Sequence, residues 1–318
     1  MKKAFLVLED GSIYEGYAFG GQVESFGEVV FSTSMTGYQE MLTDPSFAGQ
    51  IVVPTYPMIG NYGINERDVE SQKIQVAGFV VREECDKPSH GLSNCTLDEY
   101  LKLQGIPGIA GIDTRALVRR LRSFGVMMGM VTSERTSKEA LAQLAAIPRY
   151  DSEDFVKKVT SDKLYQWEPS AKCDGPRIVI LDCGVKYNIL RILRRLGCSV
   201  TAVPCTTPAE EILKLNPDGV LLSPGPGDPA MLGYLEKTVR TLVEAKPVMA
   251  ICLGHQLIGR AFGAKTFKLK FGHRGANHPV RDLQTGRVYI TAQNHGYAVD
   301  ADTVKNGLEV THINLNDG

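Results

Sequence analysis

Short apolar runs separated by polar turns fill the first half of the chain. They predict strands over residues 4–8, 12–19, 29–32, 50–55 and 74–81. The polar turn Glu-Asp-Gly separates the first two runs and predicts a hairpin. This pattern indicates a mixed α+β domain over residues 1–150.

Helical periodicity appears in the same half, between the later strand candidates. Thr96 and Glu99 have the spacing of a capping box and predict the start of a helix. A second helix begins at Asp113 or Thr114, and its apolar positions fall on one face. These are Ala116, Leu117, Leu121 and Phe124. The first domain is therefore not purely β.

The pattern changes at residues 151–176, which are polar, partly acidic and without clear periodicity, and which we interpret as a linker. From residue 177 onward, strands and helices alternate. The strands are predicted over residues 177–181, 199–203, 219–223 and 247–251, and most are continuously apolar. This alternation predicts a second domain over residues 177–318, an α/β fold with a doubly wound, mostly parallel sheet.

Parallel sheets of this kind bind ligands beyond the carboxyl ends of their strands. That rule singles out three loops, residues 182–184, 224–229 and 252–256. The third loop begins with Cys252, directly after an apolar strand and directly before a helix. Such a strand-to-helix turn exposes a nucleophile above the sheet. The helix N-terminus favours its thiolate, and the Leu253 N–H is placed to meet an oxyanion.

The loop at residues 224–229 has the sequence PGPGDP. Its prolines fix the backbone, and its glycines permit the close approach of a ligand. Alone, this loop is a plain surface turn, and an isolated cysteine is most often a small buried hydrophobe. Together, at the ends of neighbouring strands, they favour a catalytic cysteine.

Composition narrows the classes of function. The net charge of −1 gives no reason to expect nucleic acid or a membrane surface as a partner, and no Walker A or Rossmann fingerprint predicts a nucleotide site. The cysteines are odd in number and include no C-x-x-C pair, so a cytoplasmic protein without disulfides or zinc is expected. They lie at residues 85, 95, 173, 183, 198, 205 and 252.

The loop PGPGDP and the run ICLGHQ at residues 251–256 resemble the class I glutamine amidotransferases. The resemblance implies that Cys252 attacks the glutamine amide, releases ammonia and leaves a glutamyl thioester. It also implies that the N–H groups of Gly225 and Leu253 hold the oxyanion. Ala250 departs from the family, which usually has glycine there.

The chain is similar over nearly its whole length to the small subunit of carbamoyl-phosphate synthetase, and the first domain decides this resemblance. Residues 26–31, 36–46, 56–63 and 108–115 of the first domain carry it, together with residues 270–280 of the second. It implies a glutamine site lined by Ser46, Gly225, Gly227, Leu253, Gln256, Asn294, Gly296 and Tyr297. It also implies a heterodimer with a large synthetase subunit, which would use bicarbonate and hold ATP and Mg²⁺, so that no cofactor or metal is expected on this chain. The product would serve arginine synthesis, pyrimidine synthesis or both.

The family's proton acceptor is a histidine in a His-Pro-Glu motif near the C-terminus, and this sequence has no such motif. His278 precedes Pro279, but Val280 follows. His312 is expected on the exposed face of a strand over residues 308–315, and a turn signal comes directly after it. We therefore expect a C-terminally truncated chain with impaired turnover.

Two alternatives remain open at this point. The missing base allows a non-catalytic subunit that only docks to or regulates its partner. An amidotransferase of another synthetase would share the cysteine turn, although the first domain argues against it.

Overall fold

The structure is a computed structural model that describes residues 2–168 and 174–317. The chain divides into two compact units. The first unit runs to Glu153 and also includes His273–His278 and Ile290–Gln293. The second unit comprises Asp154–Gly272, Pro279–Tyr289 and the residues from Asn294 onward. Both short late segments of the first unit fall within residues 177–318, which the sequence assigned to the second domain.

The first unit consists mainly of strands. Its strands are β1 (Lys3–Leu8), β2 (Ile13–Gly20), β3 (Ser25–Ser32), β4 (Gln50–Pro54), β5 (Met58–Ile59), β6 (Gly78–Val80), β7 (Glu83–Glu84), β8 (Pro107–Ala110) and β9 (Met127–Thr132). Its helices are α1 (Tyr38–Thr43), α2 (Leu97–Leu103), α3 (Thr114–Phe124) and α4 (Ser137–Ala146). The strand predicted over residues 74–81 is real but shorter, since only β6 forms there.

The strands of the first unit close into a barrel in the order β1-β2-β8-β6-β4-β3-β9. The predicted hairpin is confirmed, because β1 and β2 pair antiparallel with Val7 opposite Ile13. β3, β4, β6 and β8 pair parallel in that sequence, and β9 closes the barrel against β1. The closed barrel is favourable for two reasons. Side chains such as Phe79, Ile51 and Leu6 are fully buried, and no sheet edge is left open.

The helices of the first unit begin largely where the sequence predicts. The Thr96 hydroxyl accepts the Glu99 N–H at 3.2 Å, and the Glu99 carboxylate accepts the Thr96 N–H at 2.8 Å, so the capping box of α2 is confirmed. In α3, Leu117 and Leu121 are buried as expected. Ala116 and Phe124, predicted on the same face, are not buried, since Ala116 is exposed and the Phe124 side chain is 70% exposed. Phe124 is the last residue of α3 and lies beyond its buried turns.

The second unit alternates strands and helices. Its strands are β10 (Tyr165–Gln166), β11 (Arg177–Asp182), β12 (Ser199–Pro204), β13 (Gly219–Leu222), β14 (Val248–Ala250), β15 (Thr266–Asp282), β16 (Val288–Val299) and β17 (His312–Asn314). Its helices are α5 (Val156–Val159), α6 (Tyr187–Arg195), α7 (Ala209–Lys214), α8 (Gly233–Ala245) and α9 (Leu253–Ala261).

The central sheet of the second unit has the order β10-β12-β11-β13-β14. The last four strands are mutually parallel, and β10 pairs antiparallel at one edge. Separate apolar clusters, one containing Leu257 of α9 and one containing Leu190 of α6, cover its two faces. The predicted fold class, an α/β fold with a doubly wound and mostly parallel sheet after a mixed α+β domain, is therefore confirmed.

The segment interpreted as a linker is more ordered than its composition suggested. α5 and β10 both lie within residues 151–176, and β10 extends the central sheet through Tyr165, which pairs with Ala202. These elements are too short to show periodicity, so no hydrophobic pattern indicated them. Residues 169–173, including Cys173, lie outside the described residues.

A second sheet has the order β16-β15-β17. Its two long strands each run through residues of both units, because β15 contains His273–His278 and β16 contains Ile290–Gln293. The strand predicted over residues 308–315 is shorter than expected, since only β17 forms. His312 is exposed on it, as the alternation predicted.

Candidate active site

Cys252 occupies the sharp turn that its sequence position predicts. It stands between β14 and α9 with φ 53° and ψ −110°. L-residues other than glycine rarely adopt a positive φ, and holding one there costs on the order of 1–3 kcal/mol. Gly254 makes the turn possible, because a Cβ at that position would lie 2.4 Å from the Leu222 carbonyl oxygen. The elbow is therefore a strained turn packed directly onto the end of β13.

The N-terminus of α9 supplies donors beside the thiol. Leu253 is the first residue of α9, so its N–H has no acceptor within the helix. The next N–H, that of Gly254, donates to the Ser223 carbonyl at 3.1 Å. The helix N-terminus also carries partial positive charge, which favours an anion at this place.

The loop at residues 224–229 closes against the elbow. Gly225 is buried, and a Cβ there would lie 2.2 Å from the Cys183 carbonyl oxygen and 2.7 Å from a methyl carbon of Leu253. Only glycine fits, as the close approach predicted for this loop requires. Gly227 has φ +89°, and the Asp228 carboxylate accepts the Ala230 N–H at 2.8 Å to cap the turn that follows.

Ser223 and Cys183 were not assigned to the site from the sequence. The Ser223 hydroxyl accepts the Cys183 N–H at 2.8 Å and donates to the Pro224 carbonyl at 2.8 Å. These bonds tie together two of the three predicted loops, those after β11 and β13. A doubly wound sheet usually takes its ligand at the crevice between these strands, and Gly225 packs there against the Cys183 carbonyl.

The thiols of Cys183, Cys198 and Cys205 are buried, as predicted for small apolar side chains. Burial raises the pKa of the Cys183 thiol far above its usual range and also raises that of Cys205. Neither group forms a thiolate readily, because the charged form is desolvated. Cys252 is only partly buried, which distinguishes it from these structural cysteines.

β16 brings three further predicted residues to the elbow. The Cys252 Sγ donates to the Asn294 carbonyl oxygen at 3.4 Å. The Gln256 Nε2 donates to the Tyr297 carbonyl oxygen at 2.7 Å, and the His295 Nδ1 lies 2.7 Å from the same oxygen. Gly296 lies between His295 and Tyr297 in β16. The structure thus gathers Cys252, Leu253, Gly225, Gln256 and the segment 294–297, with Gly227 in the adjoining loop.

Ser46 belongs to the first unit. It lies in a short 3-10 turn, Pro45–Phe47, and its N–H donates to the Asp44 carboxylate at 2.9 Å. Its side chain is largely buried. The assignment of Ser46 to the glutamine site stays a prediction.

The histidines occupy varied environments. His273 and His278 lie in the first unit with ring centroids 5.0 Å apart. His255 is on α9 with an exposed outer edge, yet desolvation of its ring by the surrounding chain lowers its pKa. His312 is exposed, with its Nδ1 3.0 Å from the Thr311 hydroxyl.

Within residues 2–168 and 174–317, no three or more His, Cys, Asp or Glu side chains are grouped so that they could hold a metal ion. In the same residues, no helix has the length and apolar character needed to cross a membrane.

Comparison with known proteins covers both halves of the chain. The family described as carbamoyl-phosphate synthase small chain, CPSase domain, matches residues 6–131, and the family described as glutamine amidotransferase class-I matches residues 179–318. The chain is 50% identical to the carbamoyl phosphate synthase small chain of Solidesulfovibrio magneticus, over 99% of this chain and 88% of that protein.

Similar small chains occur in other bacteria. Those of Akkermansia muciniphila and Fusobacterium nucleatum are each 52% identical to this chain, and the matches cover 87% and 86% of their lengths. The strained cysteine turn lies inside the amidotransferase match, and the barrel carries the small-chain match. With half of its positions identical over nearly its whole length, the chain belongs to the carbamoyl phosphate synthase small chain family.

Proposed function

We propose that this chain hydrolyses L-glutamine to glutamate and ammonia, and that the ammonia serves carbamoyl phosphate synthesis. The observation that carries the proposal is the strained elbow, where a partly buried thiol stands at the N-terminus of α9 beside the Gly225 loop. The names of the small-chain relatives support the second half of the proposal.

The reaction begins at the Cys252 sulfur. The thiolate attacks the amide carbon of glutamine, a C–S bond forms, and the carbonyl electron pair moves onto oxygen. The N–H groups of Leu253 and Gly225 stabilise that oxyanion. When the intermediate collapses, the C–N bond breaks and the nitrogen takes a proton to leave as ammonia. Water then attacks the thioester, the C–S bond breaks, and glutamate leaves while the sulfur regains its proton.

The resemblance to the family supports a glutamine site that includes residues near this turn in the second unit and Ser46 of the first unit. We assign glutamine binding to Ser46, Gly225, Gly227, Leu253, Gln256, Asn294, Gly296 and Tyr297. The β16 segment 294–297 supports this assignment, because it meets the elbow through the Asn294 carbonyl and the Gln256 amide. Backbone groups of an extended strand are suited to the fixed polar groups of an amino acid.

The ammonia requires an acceptor that this chain does not supply. We propose a heterodimer with a large synthetase subunit that uses bicarbonate, ATP and Mg²⁺ and receives the ammonia. No cofactor is proposed on the present chain. Arginine synthesis and pyrimidine synthesis both consume carbamoyl phosphate, so either is a destination for the product.

The turnover of the 318-residue polypeptide is proposed to be slow. A cysteine nucleophile needs a group that accepts a proton and later donates one to the leaving ammonia. The sequence has no His-Pro-Glu motif to supply it. The same observation favours a second candidate function, a non-catalytic subunit that docks to or regulates the synthetase.

Chemical labelling separates the two candidates. The 318-residue polypeptide is treated with a diazoketone analogue of glutamine, with and without L-glutamine, and Cys252 is followed by peptide mass. The amidotransferase proposal expects labelling that glutamine prevents, and little glutamate release without added base. Cys252→Ser abolishes labelling, whereas Cys198→Ser, at a buried thiol, leaves it intact.

Two results would contradict this account. Labelling that glutamine does not prevent favours the docking subunit. Rapid glutamate release by the polypeptide alone shows that the proton acceptor is present after all. With the large subunit added, glutamine-dependent and ammonia-dependent carbamoyl phosphate formation are compared, and Cys252→Ser is expected to abolish only the first.

A further inference from the structure

Helix α3 carries three arginines on one exposed face. Arg115, Arg119 and Arg122 are spaced by four and three residues, which places them within about 60° of one another around the helix axis. All three are exposed. Leu117 and Leu121 lie on the opposite face and are buried. The three side chains therefore form one arginine stripe, about 10 Å long, on the surface of the first unit.

The charges of the arginine stripe are not used to hold the fold together. Arg120, on a neighbouring face of the helix, pairs with Asp10 at 2.6 Å. No stripe guanidinium has such a carboxylate partner in the described parts of the chain, residues 2–168 and 174–317. The nearest carboxylate in the sequence, that of Asp113, instead accepts the Ala116 N–H at 2.9 Å and caps the helix. The stripe thus presents three accessible positive charges.

The surface beside the arginine stripe is open and adds one more cation. Ala116 and Ser123, which flank the stripe on one side, are small and exposed. Arg82 is also exposed, and its Nη1 donates to the Gly111 carbonyl at 3.3 Å, just before the start of α3. On this side, a partner surface can reach the guanidiniums without displacing a bulky side chain of the helix.

The chemistry of the arginine stripe favours carboxylates on a folded protein. The planar fork of a guanidinium donates two hydrogen bonds at once to a carboxylate or a phosphate. Proteins that bind nucleic acid usually contact about six or more phosphates along an extended track, whereas the stripe has three arginines over about 10 Å. The net charge of −1 supplies no wider positive field that would hold a polyanion.

We propose that the arginine stripe is a docking surface for a carboxylate-bearing face of the large synthetase subunit. This inference deepens the proposed function and rests on it, because the partner is the one proposed there. Arginine is enriched at protein interfaces, and complementary charges across an interface set the choice of partner and the association rate. The stripe serves recognition of the large subunit and takes no part in the chemistry at Cys252.

The test measures binding of the 318-residue chain to the purified large subunit of the same organism by biolayer interferometry. The test variant combines Arg115→Gln, Arg119→Gln and Arg122→Gln, because glutamine has a similar helix propensity and no charge. Its dissociation constant is expected to be at least about tenfold higher, as the loss of three exposed ion pairs implies. The dependence of binding on salt concentration should also become weaker.

A second variant keeps the charge and removes the fork. It combines Arg115→Lys, Arg119→Lys and Arg122→Lys, and its dissociation constant is expected to lie between those of the glutamine variant and the unsubstituted chain. Melting temperatures establish that each variant is folded. Labelling of Cys252 by the diazoketone analogue should be the same in both variants as in the unsubstituted chain.

The matched control removes the same charge from other places on the first unit. It replaces three exposed lysines that lie on separate segments, through Lys73→Gln, Lys87→Gln and Lys138→Gln. This control should bind the large subunit as the unsubstituted chain does. A control that weakens binding as much as the glutamine variant would show that net charge, and not the stripe, governs the association.

The remaining outcomes are distinct. If the glutamine variant binds the large subunit within about twofold of the unsubstituted chain, the stripe is not the docking surface. If the unsubstituted chain binds a labelled single-stranded DNA and the glutamine variant does not, while both bind the large subunit equally, the stripe serves nucleic acid instead. If the unsubstituted chain does not bind the large subunit, the proposed heterodimer fails and the docking proposal fails with it. If only the labelling of Cys252 by the analogue fails, the glutamine proposal is wrong and the binding comparison still decides the role of the stripe.

Discussion

Strain at Cys252 is the residue-scale feature with the clearest energetic consequence. Its φ of 53° and ψ of −110° suit glycine better than any residue with a Cβ. The thiol is nevertheless retained at this position, between β14 and α9. The turn therefore gives up some folding stability to keep sulfur exposed at the helix N-terminus.

Replacing Cys252 by glycine is expected to stabilise the protein relative to Cys252→Ala by about 1 kcal/mol, because only the glycine variant relieves the strain. Both variants lack the thiol and should form no thioester. Urea unfolding measures the free-energy difference between them. Equal stability of the two variants would show that the elbow is not strained.

Gly225 is the second residue whose identity is dictated by space. Gly225→Ala places a methyl against the Cys183 carbonyl and Leu253, neither of which can move without shifting the elbow. We expect destabilisation of about 1–3 kcal/mol and slower labelling of Cys252 by the glutamine analogue. Gly233→Ala is the control, because nothing lies within 4 Å of a Cβ there and the backbone is helical. A neutral Gly225→Ala variant would contradict the packing.

Helix α1 illustrates how an element can depend on a distant side chain. Its N-cap is Gly37, which has no side chain to accept the free N–H groups. The Tyr62 hydroxyl accepts instead, from Gly37 N–H at 2.8 Å and Tyr38 N–H at 3.0 Å. The two tyrosine rings also stack at 4.1 Å between centroids.

Tyr62→Phe is therefore expected to cost about 1–3 kcal/mol, since it leaves two backbone donors of α1 without their acceptor. Tyr56→Phe, at an exposed tyrosine of the same segment, should be nearly neutral. Denaturant unfolding of both variants checks the difference. A similar cost for the two would mean that solvent satisfies the start of α1.

The elements that the sequence predicted well carry their signals locally. The capping box of Thr96 and Glu99 lies directly at the helix end that it marks. The cap on α1 comes from Tyr62, and β10 exists only because β12 offers it a partner. Signals of that kind arise from tertiary contacts, which no local pattern contains.

The residues of the candidate site also divide into those with a local signal in the sequence and those held by distant contacts. Cys252, Gly225 and Leu253 could be predicted because each lies in a short motif at a strand end. The bond between Gln256 and the Tyr297 carbonyl joins residues 41 positions apart, and Ser223 acts through Cys183, 40 positions away. Only resemblance brought Gln256 and Tyr297 into the prediction. The strand-end rule indicated the loop that contains Cys183, but neither Cys183 nor Ser223 was assigned a role.

At the scale of the whole molecule, the partly buried carboxyl of Glu40 sets part of the pH dependence of stability. Burial raises the pKa of Glu40, with Asp68 and Glu70 adding to the effect. The folded state then holds a proton that the unfolded state has lost, so this group destabilises the fold as pH rises above about 4.5. Glu40→Gln is expected to gain stability at pH 7 but not at pH 4, as measured by denaturant unfolding.

Glu139 has the opposite effect on the pH dependence of stability. Hydrogen bonds from Thr136 lower the pKa of Glu139, so its contribution is present at neutral pH and is lost as pH falls. Glu139→Gln keeps the capping geometry. We expect this variant to be less stable than the unsubstituted protein at pH 7, with a smaller difference at pH 4. If both substitutions shift stability in the same direction, the burial of Glu40 does not govern its titration.

Strands β15 and β16 limit how this protein can be divided into separately produced fragments. Because His273–His278 and Ile290–Gln293 belong to the first unit, that unit is assembled from three separate stretches of the gene. No single cloning boundary delivers it whole, and a piece that stops at Glu153 lacks two of its own segments. Any exchange of the whole first unit between relatives must therefore carry parts of β15 and β16 with it.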